Sequence, residues 1–186
     1  MLTLTVGLDG PPVIDAVAVL SFADGATWSI RIDGLRLQAW TLPPNWSEPL
    51  TETLAWLTDV QIAIAGTVTR TPLREAPHRS WEFAVLADRR ERRWVENALF
   101  DWTARVWALP VFVDTRRLGA PLAAGAVEIP VDATGLDFAV GSLAMLWRDV
   151  ATYELVEVAQ IANARIALRA PTRRAWPVGT RLMPCR

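Results

Sequence analysis

One amphipathic segment limits the folds open to this chain. Residues 87–113 read ADRRERRWVENALFDWTARVWALPVFV. Asp88 stands where a helix cap is needed, Glu91 three positions on completes a capping box, and no Gly or Pro interrupts the run that follows. Trp94, Val95, Ala98, Leu99, Trp102 and Val106 recur at spacings of three and four and make one broad apolar stripe; Arg92, Arg93, Glu96, Asn97 and Asp101 fall mostly on the other side. The spacing predicts a helix over residues 88–107, stopped by Pro110, with Val111-Phe112-Val113 continuing as a strand. A single helix cannot bury two tryptophans alone. A sheet must pack across it, with Trp94, Val95, Ala98, Leu99 and Trp102 mostly buried.

The rest of the chain reads as strands. Residues 2–8 alternate as a half-buried strand, and Asp24-Gly25 between residues 14–20 and 28–32 marks a hairpin. Leu35, Leu37 and Ala39 continue the alternation. At Trp40 the character changes: residues 41–53 hold three prolines without a sustained apolar period, which predicts an extended arm, with Trp40 and Trp46 flanking Pro43-Pro44. Trp46 either docks on a neighbouring subunit or folds back over its own core. Residues 54–64 and 67–73 then read as strands around Gly66, followed by an alternating run at Trp81, Phe83 and Val85. A boundary is expected near residues 116–125, because beyond it short strands alternate with turns and leave no room for a long helix. Residues 138–145, FAVGSLAM, echo residues 176–183, WPVGTRLM, without gaps. The predicted fold is therefore mainly β (α+β): an N-terminal β domain, residues 1–117, with one packed amphipathic helix, then a small all-β barrel-like domain, residues 118–186.

Composition narrows the functional classes. The chain is 52% hydrophobic and 21% charged, which excludes disorder. Ten tryptophans against five phenylalanines and one tyrosine is unusual for a chain of this size: either some lie at contacts with other chains or all ten are core or half-buried. All 19 basic residues are arginine, a usage that genome bias explains as well as interface chemistry does. A net charge of −1 gives no general attraction to nucleic acid. The charge is uneven, with two Arg against seven acids in residues 1–68 and ten against seven in residues 69–120. Such regions can align copies head to tail or face each other inside one fold. Arg70, Arg74 and Arg79 cluster in one connection and, with Trp40 and Trp46, are the candidate interface residues. No secretion signal or membrane span is visible, which makes cytoplasmic synthesis the expectation.

Catalytic and metal signatures are missing from the sequence. Cys185 and His78 are single residues of their type, too few for a structural zinc site, and His78 beside Pro77 reads as a loop histidine. Glu154 and Glu157, three apart on a predicted strand, point to opposite faces and do not form an acid–base pair. No catalytic residue, cofactor or metal is expected.

Several stretches together resemble one family. WSEPLTETLAWLTDV, the spaced Gly, Thr, Arg and Pro positions of residues 66–79, WALPVFVD at residues 107–114, and the pieces AGAVEIPVD, FAVG, YELVEV and WPVGTRLMP are similar to small distal-tail, or tail-tip, proteins of long non-contractile-tailed phages and prophages. Where the family pattern has acidic residues around the glycine turn, this chain has Ala65 and Val68. The resemblance, over residues 40–184, implies a virion structural protein at the tail tip. It would form a homo-oligomeric ring, hexamer or trimer, between the tail tube protein, the baseplate hub and tail fibre or receptor-binding proteins, without nucleic acid. The alternatives are a carbohydrate-binding attachment module with exposed tryptophans and a carboxylate-dependent cell-wall hydrolase.

Overall fold

Backbone pairing between strands organises the computed structural model, which describes residues 13–35, 37–100, 105–162 and 164–186. Among the described residues there are fourteen strands and one main helix, α1 (Arg89–Leu99), so the fold is mixed but predominantly β. The strand expected over residues 2–8 lies outside the described residues, as does Trp102. Two compact units emerge, one from the described parts of Met1–Leu42 and Asp88–Arg186, the other from Pro43–Ala87. A division at residues 117/118 does not follow the pairing, because β9 (Arg116–Arg117) is hydrogen-bonded to β14 (Arg181–Cys185) across that position.

The first unit is built on a six-stranded antiparallel sheet in the order β10 (Glu128–Ile129), β13 (Arg165–Leu168), β12 (Thr152–Ala162), β11 (Leu143–Asp149), β14, β9. It curls into a half-barrel. Register shifts between Trp147 and Asp149 and between Val158 and Gln160 increase the local twist, which bends the sheet round its contents. Ile129, Ala144, Leu146, Val156, Val158, Ile166, Leu168 and Leu182 line the hollow, and Leu118, Leu122, Phe138 and Trp176 complete its buried core.

The sequence echo corresponds to repeated backbone geometry. Gly141 and Gly179 both have φ of 81°, the left-handed position of a tight turn that glycine takes without strain. Ser142 donates its hydroxyl to the Ala139 carbonyl at 2.7 Å, and Thr180 donates its own to the Pro177 carbonyl at 2.8 Å. Each turn leads into a strand, β11 or β14, and those strands pair with Leu146 opposite Leu182. The aromatics that open the two copies, Phe138 and Trp176, are both buried in the same core.

Glu154 anchors the larger of them. Its side chain is only 8% exposed, and it accepts the Trp176 indole N–H at 3.0 Å and the Arg173 backbone N–H at 2.6 Å. Glu157, three residues on in β12, lies on the other face and pairs with Arg169 at 2.6 Å. The outer face of the sheet is covered as well: Met145, Met183 and Cys185 are buried there. The Trp147 indole donates to the Thr41 carbonyl at 2.9 Å, and Val111 donates its N–H to the Pro184 carbonyl at 2.8 Å.

The helix is shorter than the spacing predicts. Its capping box forms at Asp88 and Glu91, but α1 ends at Leu99, and Val106–Ala108 is strand β8, paired in parallel with β3 (Leu37–Ala39). The backbone of residues 106–111 finds partners in β3 and at the C-terminal strand, where Leu109 and Arg186 exchange N–H···O bonds of 2.9 and 3.0 Å. That pairing, at the β-branched Val106 and bulky Trp107, outweighs continuation of a helical turn. Phe112–Asp114 is a 3-10 turn where a strand was expected. Of the stripe, Ala98 is buried, Trp94 and Val95 are half-buried, and Leu99 is exposed.

Glu154→Ala leaves the buried Trp176 indole and the part-buried Arg173 N–H without an acceptor and is expected to lower the unfolding free energy by about 3 kcal/mol, with Glu154→Gln costing less. Denaturant titration measures both, and a loss below about 1 kcal/mol for the alanine variant would remove Glu154 as the anchor.

Candidate interaction surface

Two hairpins share one construction. β1 (Val13–Ser21) and β2 (Thr27–Leu35) are antiparallel about Asp24-Gly25, as the sequence predicts, with Gly25 at φ 84°. The Phe22 N–H meets the Ala26 carbonyl at 2.9 Å, and the Gly25 N–H meets the Phe22 carbonyl at 3.0 Å. In the second unit, β5 (Thr58–Ile62) and β6 (Val68–Pro72) turn through Ala63 and Gly66 with the same bonds at 2.9 and 2.8 Å, and with Gly66 at φ 81°. A tight loop with glycine in the left-handed position suits the twist of a two-stranded ribbon.

The second unit continues that ribbon through β4 (Thr51–Ala55) and β7 (His78–Glu82). Its outgoing strand breaks at Trp56-Leu57, where Leu57 accepts the Leu73 N–H at 2.9 Å, and the return strand carries the extra residues 74–77, including a proline that cannot donate. The distal half is two-faced. Val60 opposite Arg70 and Ile62 opposite Val68 share one side, whereas Asp59 opposite Thr71 and Gln61 opposite Thr69 share the other. The apolar side is bare: Ile62 is 71% exposed, Val60 and Val68 are about half exposed, and Ile64 at the tip is fully exposed. Trp56, at 62% exposure, adds an uncovered aromatic at the break.

The hairpin β1–β2 also exposes apolar side chains, but on both faces: Val17 and Val19 on one at about 60%, and Trp28 on the other, where Ala18, Leu20 and Ile32 are half-buried. Ala16, Ala18, Leu20, Trp28, Ile30 and Ile32 lie on one face, with Trp28 66% exposed and in edge contact with Phe22 at 6.0 Å. Both hairpins are two-stranded sheets, to which no further described strand is hydrogen-bonded. A two-stranded ribbon is marginal in water unless its apolar face packs against something.

The candidate residues read from sequence are scattered over this framework. Trp40 is half-buried inside the first unit, in edge contact with Trp94 at 5.7 Å and Trp107 at 5.9 Å, and its indole donates to the Leu42 carbonyl at 2.8 Å. Trp46 is 61% exposed on a loop held by the Asn45 N–H to the Ala84 carbonyl at 2.8 Å. Arg79 pairs with Glu52 at 2.7 Å and lies over the Trp81 ring at 5.9 Å. Arg70 sits among the exposed apolar residues of the distal ribbon, and Arg74 is exposed in the bulged return strand. Arg70 and Arg79 face Val60 and Leu54, six outgoing positions apart or roughly 20 Å of strand, so the three arginines do not converge. Val60, Ile62 and Val68 were present in the alternation of residues 58–62 and 68–72, but alternation alone does not tell a covered face from an open one.

Chemistry is sparse elsewhere. Among the described residues no group of three or more His, Cys, Asp or Glu side chains is placed to hold a metal ion. A cleft of about 580 Å³ in the first unit brings Trp94 and Tyr153 near Asp88, Glu91 and Asp149, but Asp88 and Glu91 serve the helix cap and Asp149 accepts the Ala151 N–H of its own turn at 2.9 Å. No helix is long and apolar enough to cross a membrane among the described residues. No protein-family model matches the chain, and no curated protein matches it.

Burial raises the Cys185 thiol from an ordinary value of 9.0 to about 12, because the thiolate would lose its hydration. Its contribution to stability is thus complete below pH 9 and is lost as pH rises toward 12. A disulfide reagent applied at mildly alkaline pH is expected to leave the native chain unmodified and to titrate one thiol after denaturation. Rapid native labelling, read by absorbance, would contradict this burial.

Proposed function

We propose that this chain is a structural component of a phage tail tip or baseplate, a subunit of a symmetric ring or hub between the tail tube and fibre or receptor-binding proteins. The observation that carries the reading is the bare apolar side of the ribbon in residues 43–87, formed by Val60, Ile62 and Val68 and extended by Ile64 at its tip. A face of that kind, on a ribbon with no further strand beside it, is stabilised when a neighbouring chain covers it. Each subunit also exposes apolar side chains on β1–β2, Val17, Val19 and Trp28 among them, and contacts between unlike surfaces generate rings when the rotation closes. The sequence resemblance to distal-tail proteins selects the tail tip from among assemblies of this kind. In this reading Trp46 and Arg70 meet the neighbouring subunit, and the curled sheet completes a small barrel-like module that carries attachment proteins.

The carbohydrate-binding alternative draws on the cleft with Trp94 and Tyr153, since aromatic faces stack on sugars, but its carboxylates are already engaged. Light scattering on the eluting full chain distinguishes the readings. A ring component is expected as several copies without ligand, and Ile62→Asp or Trp46→Ala should reduce the assembly to smaller species while the melting temperature changes little. A chain that is monomeric at every concentration and binds glycans would overturn the assembly reading in favour of attachment.

A further inference from the structure

A second feature lies at one end of the six-stranded sheet. Pairing across four adjacent strands sets Arg117 in β9 opposite Arg181 in β14, Arg181 opposite Trp147 in β11, and Trp147 opposite Tyr153 in β12. Directly opposed residues share a face, so two arginines, a tryptophan and a tyrosine form one row. Like charges placed opposite each other oppose the pairing rather than support it. The Arg181 guanidinium stacks over the Trp147 ring at 4.9 Å, and that ring is itself fixed by its indole bond to the Thr41 carbonyl. A cation–π contact of this kind holds the guanidinium near the ring without consuming its N–H donors.

Beside this row is an open cleft of about 450 Å³ lined by Arg117, Trp147, Arg148, Arg181 and the turn Pro177–Thr180. Three arginines line it and no carboxylate does. Among the described residues none of the three makes an ion pair. Arg165 in β13 and Arg169 just beyond it are handled differently, since Arg165 pairs with Glu128 at 3.1 Å and Arg169 with Glu157 at 2.6 Å, whereas Arg116 in β9 donates to the Asp132 carbonyl. The turn offers little competition, since Gly179 donates its N–H to the Leu118 carbonyl at 2.8 Å and Thr180 donates its hydroxyl to Pro177.

We propose that this cleft is a carboxylate-binding site and that its occupant is an acidic segment from the first third of another copy of the chain. Charge complementarity selects the occupant, since residues 1–68 hold seven acids against two arginines. A nucleic acid backbone fits less well. Three arginines in one cleft do not make the extended basic track that phosphates require, and the whole chain is net negative. Planar carboxylates match the fork of a stacked guanidinium in a bidentate manner. The inference rests on the assembly reading above and adds a polar contact to the apolar one.

Sedimentation velocity on the full chain tests it. Arg117→Glu with Arg181→Glu should weaken self-association by on the order of tenfold or more, and raised salt should weaken the unaltered chain in the same direction. Arg117→Gln with Arg181→Gln keeps the fold by relieving the opposed charges and should also weaken association. Arg165→Glu with Arg169→Glu, an equal change of net charge at paired arginines outside the cleft, should leave association unchanged. If the unaltered chain associates and both cleft variants associate equally well, the carboxylate site is overturned and the assembly reading stands. A monomeric unaltered chain overturns both. Binding of a fluorescent single-stranded oligonucleotide, lost in the cleft variants while self-association persists, would reassign the cleft to nucleic acid.

Discussion

A buried carboxylate holding an indole is the interaction on which the curled sheet depends. Glu154 is close to fully enclosed, and its two oxygens are occupied by the Trp176 indole and the Arg173 backbone N–H. Trp176 is among the largest fully buried side chains, and its own backbone exchanges 2.8 Å bonds with Leu122. One side chain therefore ties β12 to the segment before β14 and to the connection around Leu122. Enclosing a carboxylate is costly, and a hydrocarbon could fill the same volume. What the ion adds is direction: an indole can satisfy its donor in one orientation only, which keeps the core from sliding under a sheet already bent by two register shifts.

The hairpins obey a different balance. In the half-barrel, apolar side chains meet each other on the concave face, so each strand repays the ordering of its neighbour. Two strands joined by a tight turn have nothing to enclose. The ribbon of residues 43–87 and the hairpin β1–β2 therefore keep their shape through ladder bonds and glycine turns while Val60, Ile62 and Val68 on the one and Val17, Val19 and Trp28 on the other face water. In the proposed tail-tip setting those residues are the parts of the protein finished by its neighbours. Two of the arginines at the β13 end of the sheet, Arg165 and Arg169, are held by its carboxylates, while the three in the cleft beside Trp147 have none among the described residues.

Much of this was legible in the residues, and what was not has identifiable causes. Strand alternation and Asp-Gly punctuation located β1 and β2 because a half-buried strand and its turn are local properties. The FAVGS and WPVGT echo located two turns of the same geometry, since glycine with a following hydroxyl is nearly sufficient for that bend. The end of α1 was hidden. Trp102 and Val106 continue the helical spacing, but Val106–Ala108 pairs with Leu37–Ala39 from far away in sequence, and no local pattern announces a parallel partner. Trp40 read as an interface candidate for the same reason, because its partners Trp94 and Trp107 lie on other elements. The apolar face of the ribbon was visible as alternation, but its exposure is a property of the whole fold.

The ribbon is inserted between β3 and α1, inside the connection that the parallel pair β3–β8 already requires. Closing a longer connection is cheap, since each doubling of its length costs only about 0.6 kcal/mol. The length of this ribbon is therefore almost free to drift over evolutionary time, provided the pleat is respected. One residue gained on a single strand would turn its outer side chains to the opposite face, whereas a matched gain of two on each strand restores Val60, Ile62 and Val68 to their side farther out. Viable lineages would thus differ by discrete, even steps in the length of this ribbon, while the half-barrel, in a separate compact unit, keeps its own register.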